Sequence, residues 1–392
     1  GEGYGMNLSA VDTLSREGVN LIITVDNGIS AIDEIAHAGS LGIDVVVTDH
    51  HQPHPQLPNA CAIVDPHQED DKSPFKDFSG AGVVLKLLMA LQGGEEQDPA
   101  AVNSVLDRFC GLAAVGTVGD SVPLLGENRL LVKLGLRVID QGRLPGLSAI
   151  LGAGREKASS TKLAFSAVPC INATGRMGSP DRAVRLLTHN DPAAAGVLAK
   201  ELKGENTRRK EVEAEILRSA VELAESDAEI WAQRVIVVAG EGWHMGVVGI
   251  VAARLTERFG KPCIVLTTSG GGEYRGSGRS VEGFSMFDAI NHCRELLVQY
   301  GGHPMAAGLT VREENISLLR RRLNEYAKER YPSMPVFTLC LDCSLKPQSI
   351  TAKTVRELLP LEPYGTKNAQ PIFGIYDVTL RGVFCAIGFQ RQ

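Results

Sequence analysis

Three consecutive side chains that can bind a metal ion, Asp49-His50-His51, directly follow the apolar run at residues 43–48. Burying a carboxylate or an imidazole without a partner costs free energy, so packing alone explains the triplet poorly. Carboxylate and neutral imidazole are both good ligands for ions such as Mn²⁺. A polar turn with two solvated histidines is the alternative, and the triplet alone does not decide between them.

The elements around the triplet place a further carboxylate beside it. Residues 20–25 and 43–48 predict strands, and residues 30–38 predict the helix between them. A strand–helix–strand order is typical of a parallel α/β sheet, in which ligands gather at the carboxyl ends of the strands. Asp26 follows the first strand and Asp49 the second, so both are predicted at one edge. This placement favours a site over a solvated turn.

The rest of the chain predicts a second α/β unit and a change to mainly β-type segments near the end. The further predicted elements are a strand at 60–64, helices at 81–91 and 102–115, a long charged helix at 192–224, strands at 235–239 and 262–266, and a helix at 247–259. The long helix is interpreted either as a solvated surface helix or as a bridge between domains. Asp120 is predicted in a glycine-flanked turn that Pro123 keeps from continuing as helix. From Val336 onward the sequence favours β-type runs.

Composition is ordinary for a soluble globular protein. The 392 residues allow two or three domains. The net charge of −6 argues against a surface coated with basic residues, but a local basic cleft can still bind nucleic acid. Neither an apolar run of about 18 residues nor a signal peptide is found, so no membrane span is expected. The 8 cysteines are scattered, which predicts a reduced, cytoplasmic protein.

Several acidic and imidazole groups are predicted to meet at the edge of the first sheet: Asp26, Asp49, His50 with His51, and Asp120. Two divalent ions about 4 Å apart need bridging carboxylates and terminal imidazoles, which this set supplies. Such ions activate water and clamp the attacking and leaving oxygens of a phosphate ester, so phosphodiester hydrolysis is the predicted reaction. The mixed set favours Mn²⁺ or Mg²⁺ over a structural zinc. For Asp120 alone, a turn-capping role is equally consistent.

Two glycine-rich segments of the second unit are candidate phosphate contacts: Gly276-Ser277-Gly278-Arg279-Ser280 and Gly301-Gly302-His303 up to Gly308. Glycines let a backbone approach a ligand and aim N–H groups at phosphate oxygens. Arg279 could add a bidentate contact. Either motif alone is weak, because Gly-Ser turns are common, but Gly-Gly-His followed by Ala-Ala-Gly indicates tight packing around a ligand more strongly. The segment 243–249 precedes a helix, and a buried Trp243 that closes a domain is an open interpretation.

These motifs occur in the order found in a known family. They are residues 24–28, 49–51, 116–120, 172–176, 243–249, 276–280 and 301–308. The chain resembles the DHH phosphoesterase superfamily, and within it most closely the RecJ family of single-strand-specific exonucleases. The resemblance implies an α/β fold in which a parallel-sheet DHH domain and a smaller α/β DHHA1 domain are joined by a long helix, with the beginning of a β-rich OB-like domain. The implied boundaries are 1–190, 191–228, 229–332 and 333–392.

The resemblance also implies roles for single residues. The implied metal ligands are Asp26, Asp49, His50, His51 and Asp120. Asp49, His50 and His51 are also implied to be catalytic, together with Asn172 and Arg176 near the scissile phosphate. The implied substrate contacts are Ser277, Gly278, Arg279, Ser280, Gly301, Gly302 and His303. Thr174 and Gly119 stand where alanine is more usual.

The implied function is metal-dependent 5′-to-3′ hydrolysis of single-stranded DNA to mononucleotides, in DNA repair and recombination. The expected protein is a monomer without a membrane partner, and a single-strand-binding protein or a helicase would be its protein partner. The alternative is a phosphodiesterase for short oligonucleotides or cyclic dinucleotides. A third hypothesis is a non-enzymatic DHH scaffold. Such scaffolds lose their metal ligands, whereas the ligand positions in this chain are intact.

The family's first motif, an Asp-x-Asp pair of further metal ligands, lies upstream of the segment that Glu2-Gly3-Tyr4-Gly5 resembles. The chain also opens without Met and stops at Gln392 without a tail, so both ends indicate a fragment. Without the Asp-x-Asp ligands we expect this polypeptide to be inactive alone. A missing first strand is also expected to leave apolar surface of the sheet exposed.

Overall fold

The computed structural model describes residues 5–93, 98–152, 156–336, 338–376 and 378. The helices are α1 Leu8–Arg16, α2 Ile32–Ser40, α3 Gly80–Gly93, α4 Pro99–Gly119, α5 Gly126–Asp140, α6 Pro145–Leu151, α7 Ser160–Lys162, α8 Val168–Met177, α9 Asp181–Thr188, α10 Pro192–Ser226, α11 Ala228–Ala232, α12 Met245–Phe259, α13 Met286–His292, α14 Ile316–Arg330 and α15 Ala352–Leu358. The strands are β1 Leu21–Val25, β2 Asp44–Thr48, β3 Ala62–Val64, β4 Ile236–Gly240, β5 Cys263–Gly270, β6 Glu273–Arg279, β7 Leu297–His303, β8 Ala306–Arg312, β9 Cys343–Ser344 and β10 Phe373–Gly374.

The described residues fall into two compact units. The first lies within Gly1–Leu144, Gly154–Phe165 and Leu339–Gln392. The second lies within Pro145–Ala153 and Ser166–Thr338. The mixed α/β fold with parallel strands confirms the predicted fold class. No helix among the described residues is both long enough and apolar enough to cross a bilayer.

The first unit contains a parallel sheet in the order β1-β2-β3. Val45 and Val47 of β2 are buried and pack with Val11 of α1 and Ile35 of α2. Alternate residues of β1 remain about half exposed: Leu21 at 48%, Ile23 at 54% and Val25 at 47%. The strand β1 therefore exposes apolar side chains along one face.

Helix α4 is longer than predicted at both ends. The Asp98 carboxylate accepts a hydrogen bond from the N–H of Ala100, and Pro99 fits the first turn because it needs no donor there. The helix then continues to Gly119, and Asp120 caps its carboxyl end. The helix thus continues four residues beyond the predicted end at residue 115, and Asp120 lies in the turn that follows it, as predicted.

The second unit is built on a sheet in the order β4-β5-β6-β8-β7. Strands β4 and β5 are parallel, and the other pairs are antiparallel. Helix α12 packs on β5 and β6, and α10 packs on α6, α8, α9 and α12. Helix α10 buries residues such as Leu202 and Ile216 along its length, so a fully solvated surface helix is ruled out.

The glycine-rich segments of this unit are strands rather than phosphate-binding turns. Residues 276–279 lie in β6, between β5 and β8, so their N–H groups are taken up by the sheet. The prediction that these glycines aim free N–H groups at a phosphate is therefore wrong for β6. Gly301, Gly302 and His303 end β7, and residues 306–308 begin β8.

The described residues after 338 contain two short paired strands, β9 and β10, the helix α15, and two 3₁₀ turns at Pro347–Ser349 and Leu359–Leu361. These two strands are the described part of the β-type runs predicted from Val336 onward, and residues 337, 377 and 379–392 lie outside the described ranges. The segment attaches to the first unit by main-chain contacts. The N–H of Leu124 donates to the carbonyl of Thr366 at 2.8 Å, and Ser160 Oγ donates to the carbonyl of Tyr364 at 2.6 Å.

Candidate metal centre and phosphate site

Three aspartates form a row at the carboxyl edge of the first sheet. Asp26, Asp49 and Asp65 each follow the last residue of β1, β2 and β3. The N–H of Asp26 donates to the carbonyl of Thr48, and that of Asp49 to the carbonyl of Val64, both at 3.0 Å. The sheet hydrogen bonding therefore continues one residue beyond the strands and aligns the three carboxylates.

A candidate metal centre lies at the exposed end of this row. The possible ligand atoms of Asp26, His50 and His51 all lie within 4.8 Å of one another. His50 Nε2 is 3.0 Å from Asp26 Oδ1 and 3.4 Å from Asp120 Oδ2. This nitrogen is buried, yet no described group forms a well-aligned hydrogen bond with it. A buried imidazole without an aligned partner, next to two carboxylates, fits a divalent ion.

Asp26, one residue of the candidate metal centre, has a strained backbone conformation. Its φ of 64° is in the left-handed region, which non-glycine residues seldom occupy. A Cβ atom on Gly80, the first residue of α3, would lie 2.5 Å from Asp26 Cβ. Only glycine at position 80 leaves room for the carboxylate in this position.

Asp49 is not part of the three-residue group. It is 1% exposed, and its Oδ2 accepts the N–H of Ile29 at 3.0 Å. Its Oδ1 accepts the N–H of His50 at 2.8 Å and contacts His51 Nδ1 at 2.7 Å. Burial would raise the pKa of Asp49, but these donors outweigh burial and lower that pKa. Asp49 therefore orients His51 and leaves Nε2 of that ring available.

The electrostatics of the centre favour a positive charge. The Asp26 carboxylate raises the pKa of His50 against the effect of burial, and the charge of Asp120 adds to it. Burial also raises the pKa of Asp120. The carboxylates thus stabilise positive charge at the position of His50 Nε2, and a bound cation would experience the same attraction.

The sequence predicts a strand at 60–64, but Asp65, the residue that follows it, is absent from the predicted site. Asp65 is 2% exposed, and its Oδ2 has no hydrogen-bond partner among the described groups. Burial raises the pKa of Asp65, and the charge of Asp49 adds to the effect. His67 Nδ1 is 3.7 Å from Asp65 Oδ1. The signal that would have found Asp65 is the one that found Asp26 and Asp49, namely its place after a strand.

In the second unit, two arginines form a candidate anion site. Arg279 Nη1 donates to Ser277 Oγ at 2.5 Å and to the carbonyl of Gly278 at 2.9 Å. Burial lowers the pKa of Arg279, and the positive charge of Arg176 adds to this. Neither guanidinium has a carboxylate partner within the described part of the chain. Two such cations favour a bound anion, for which phosphate is a natural candidate.

The glycines of the segment 243–249 make room for these arginines. A Cβ atom on Gly249 would lie 3.1 Å from Arg279 Nη2, and one on Gly246 would lie 2.5 Å from the carbonyl oxygen of Arg176. Arg176 Nη1 in turn donates to the carbonyl of Gly246 at 3.2 Å. His244 caps α12, since its Nδ1 accepts the N–H of Gly246 at 3.1 Å. The motif therefore packs the start of α12 against both arginines.

The other predicted contacts lie on α8 and at the end of β7. Asn172 is exposed on α8, one turn before Arg176. Arg279 pairs with Ala306, and Ala306 pairs with His303. Arg279 and His303 therefore lie in one cross-strand row, two strands apart, which corresponds to about 10 Å. Ser280 is buried, and its hydroxyl donates to the carbonyl of Phe284 at 2.7 Å, which indicates a structural role.

Three known domain families match parts of this chain. The DHH family, N-terminal domain, matches residues 6–117. The DHHA1 domain matches residues 232–329, and the RecJ OB domain matches residues 341–389. The first unit's sheet and its Asp-His-His turn, together with these matches, define the class as a DHH protein with a DHHA1 domain.

Individual relatives indicate the family within this class. The single-stranded-DNA-specific exonuclease RecJ of Bacillus subtilis is 39% identical over 389 residues, which cover 97% of this chain and 48% of that protein. The Escherichia coli protein of the same name is 36% identical over 392 residues, covering 95% and 67%. The crystal structure of RecJ in complex with Mn²⁺ from Thermus thermophilus matches with a TM-score of 0.82 and 34% identity, over 94% of this chain and 54% of that one.

The chain belongs to the RecJ family. It spans about half the length of the B. subtilis relative.

Proposed function

We propose that the protein is a metal-dependent exonuclease that hydrolyses single-stranded DNA from its 5′ end to mononucleotides. The observation that carries this proposal is the cluster of Asp26, His50 and His51 at the carboxyl edge of the sheet. The relatives that cover this chain are named for activity on single-stranded DNA, which supports the choice of substrate.

Mn²⁺ or Mg²⁺ is the proposed cofactor, held by Asp26, His50 and His51 with Asp120 close by. When bound, such an ion lowers the pKa of a water molecule and polarises the phosphate. Asp49 holds His51 in orientation through Oδ1. Gly80, which lacks a side chain, leaves room for the Asp26 carboxylate in this position. Asp49 is thus proposed as a positioning residue, and the four other predicted ligands as direct ones.

Arg176, Arg279 and His303 are the proposed phosphate contacts. The two guanidinium groups carry charge that no described carboxylate neutralises, so they can stabilise negative charge on a phosphate. Ser277 supports this role by accepting a hydrogen bond from Arg279. Asn172, one helical turn from Arg176, is proposed to contact the same substrate.

The wider biological setting is proposed from family membership. It comprises DNA repair and recombination, a cytoplasmic location, a monomeric state, and a single-strand-binding protein or a helicase as partner. The domain boundaries at residues 190, 228 and 332 are part of the same proposal, and the family matches at 6–117, 232–329 and 341–389 are consistent with them.

The experiment compares three substrates with the protein in its natural full length and with Mn²⁺. They are a 5′-phosphorylated single strand, the same strand in a duplex, and a dinucleotide. We expect the single strand to be hydrolysed fastest and mononucleotides to appear from the first time point. Preference for the dinucleotide would favour the alternative phosphodiesterase. Absence of metal-dependent hydrolysis of every substrate would refute the proposal.

A further inference from the structure

A chain of buried polar contacts crosses helix α10 and belongs to neither site described above. Over most of its length α10 buries apolar side chains: Ala195, Leu198, Ala199, Leu202, Ile216, Ala220 and Ala224. Asn206 and Arg209, in the middle of the helix, are polar and yet only 7% and 8% exposed. Burying a guanidinium between helices costs free energy that an apolar side chain of similar volume would not cost. Packing alone therefore does not explain this part of α10.

The chain of contacts begins on α8. Asn206 Nδ2 donates to the sulfur of Cys170, a buried residue of α8, at 3.6 Å. Arg209 Nε donates to Asn206 Oδ1 at 3.0 Å, and Arg209 Nη1 donates to Glu213 Oε2 at 2.5 Å. The guanidinium of Arg209 thus holds an amide and a carboxylate at the same time.

The other end of the chain lies on α12. Arg254 Nε donates to Glu213 Oε1 at 3.4 Å, so the two oxygens of the Glu213 carboxylate join α10 to α12. Arg254 also contacts Glu257 of its own helix at 3.1 Å. Side chains therefore link α8, α10 and α12 in the order Cys170, Asn206, Arg209, Glu213 and Arg254.

Helices α8 and α12 are also the elements that place the arginines of the candidate anion site. Arg176 lies on α8, and Gly246 and Gly249 at the start of α12 leave room for Arg176 and Arg279. A shift of either helix on α10 would therefore change the separation of the two guanidinium groups. Two cations that hold one anion have to be positioned within a fraction of an ångström.

We propose that Arg209 is a positioning residue of the candidate anion site, which fixes α8 and α12 on α10 through Asn206 and Glu213. It acts through Arg176 and Arg279 and does not itself contact the anion. The planar guanidinium makes both bonds from one buried side chain, and an apolar residue would leave the two helices free to shift. This proposal rests on the proposed function for the identity of the ligand, but it concerns binding only.

The first test compares two variants of α12 by calorimetry with inorganic phosphate, in EDTA and with the protein in its natural full length. Arg254→Met and Arg258→Met each remove one positive charge and one ion pair to a glutamate of α10. The two arginines are similarly exposed, at 49% and 56%, but Arg258 contacts Glu225 and lies outside the chain of contacts. We expect the Kd for phosphate to rise roughly threefold in Arg254→Met and to stay unchanged in Arg258→Met.

The second test changes the centre of the chain. Arg209→Met should raise the Kd for phosphate roughly tenfold, because both bonds are lost. Arg209→Lys keeps the charge but not the two bonds, so its Kd should stay raised by roughly fivefold or more. Melting temperatures establish that each variant is folded at the temperature of the titration. If neither Arg209 variant folds, the matched pair on α12 decides.

Several outcomes would overturn the inference. A network with a merely structural role would lower the melting temperature and leave the Kd for phosphate unchanged. An equal rise of the Kd in Arg254→Met and Arg258→Met, or wild-type affinity in Arg209→Lys, would show that only charge matters. Wild-type protein that does not bind phosphate would leave no site to position. Because metal and hydrolysis are absent, failure of the nuclease proposal would show separately in the substrate assay.

Discussion

The carboxyl edge of the three-stranded sheet and the face of the five-stranded sheet suit ligands of opposite charge: the first a divalent cation, the second an anion. The first gathers carboxylates and imidazoles around the buried His50 Nε2. The second places Arg176 and Arg279 beside glycines of α12 that leave room for them. A metal centre depends on which side chains are present and how they are oriented. The candidate anion site also depends on where side chains are absent, because Gly246 and Gly249 leave room for Arg176 and Arg279.

The largest expected effect is at the metal centre. His50→Gln removes the nitrogen that lies between Asp26 and Asp120, so the carboxylates lose the ligand that completes the group. We expect hydrolysis by the full-length protein to fall roughly a thousandfold or more and Mn²⁺ binding to be lost. Mn²⁺ titration followed by electron paramagnetic resonance measures the binding. Binding at wild-type affinity would show that the centre lies elsewhere.

Asp49→Asn separates orientation from ligation within the same centre. The side chain keeps its shape, but it loses the charge that holds His51 Nδ1. We expect Mn²⁺ affinity to fall by roughly 10- to 100-fold, as for the loss of an outer carboxylate, with the fold retained. The same titration checks this. A complete loss equal to that of His50→Gln would make Asp49 a direct ligand instead.

Gly249→Ala tests the second region, where the absence of a side chain is decisive. The new Cβ atom would lie 3.1 Å from Arg279 Nη2 and 3.3 Å from Ser277 Oγ. We expect affinity for a 5′-phosphorylated strand to fall by roughly tenfold, because Arg279 must shift. Gly196→Ala, where a Cβ atom meets nothing within 4 Å, adds the same methyl group to a helix and serves as the control. Equal affinities in the two variants would contradict the packing role.

The smallest effect concerns stability. Mn²⁺ at about 100 times its Kd should stabilise the wild type by about 2.7 kcal/mol, because it binds only the folded form. Differential scanning fluorimetry should show the melting temperature rising by a few degrees, and EDTA should reverse the change. His50→Gln should show no rise. A metal-dependent rise that persists in this variant would indicate a different binding site.

Much of the fold could be predicted because local patterns determine it. The apolar runs before Asp26 and Asp49 specify buried strands, and the helix between them follows from its own periodicity. Helix α10 was predicted at 192–224 and ends at Ser226. The predictions were wrong where pairing with strands that are distant in the sequence determines the local structure. Residues 276–279 have the composition of a turn, but pairing with β5 and β8 makes them a strand.

The candidate site likewise has features that the sequence predicts and features that only the tertiary structure shows. The sequence by itself predicted the metal-binding Asp-His-His turn and the glycine-rich segments with Arg279. It could do so because residues that are adjacent in the chain stay close together in any fold. Only the tertiary structure decided that Asp49 points inward to Ile29 and His51, and that Asp65 joins the row. It alone aligned Arg275, Thr310 and Gln299. Register between distant strands is set by backbone pairing and burial across the whole sheet, which no single segment contains.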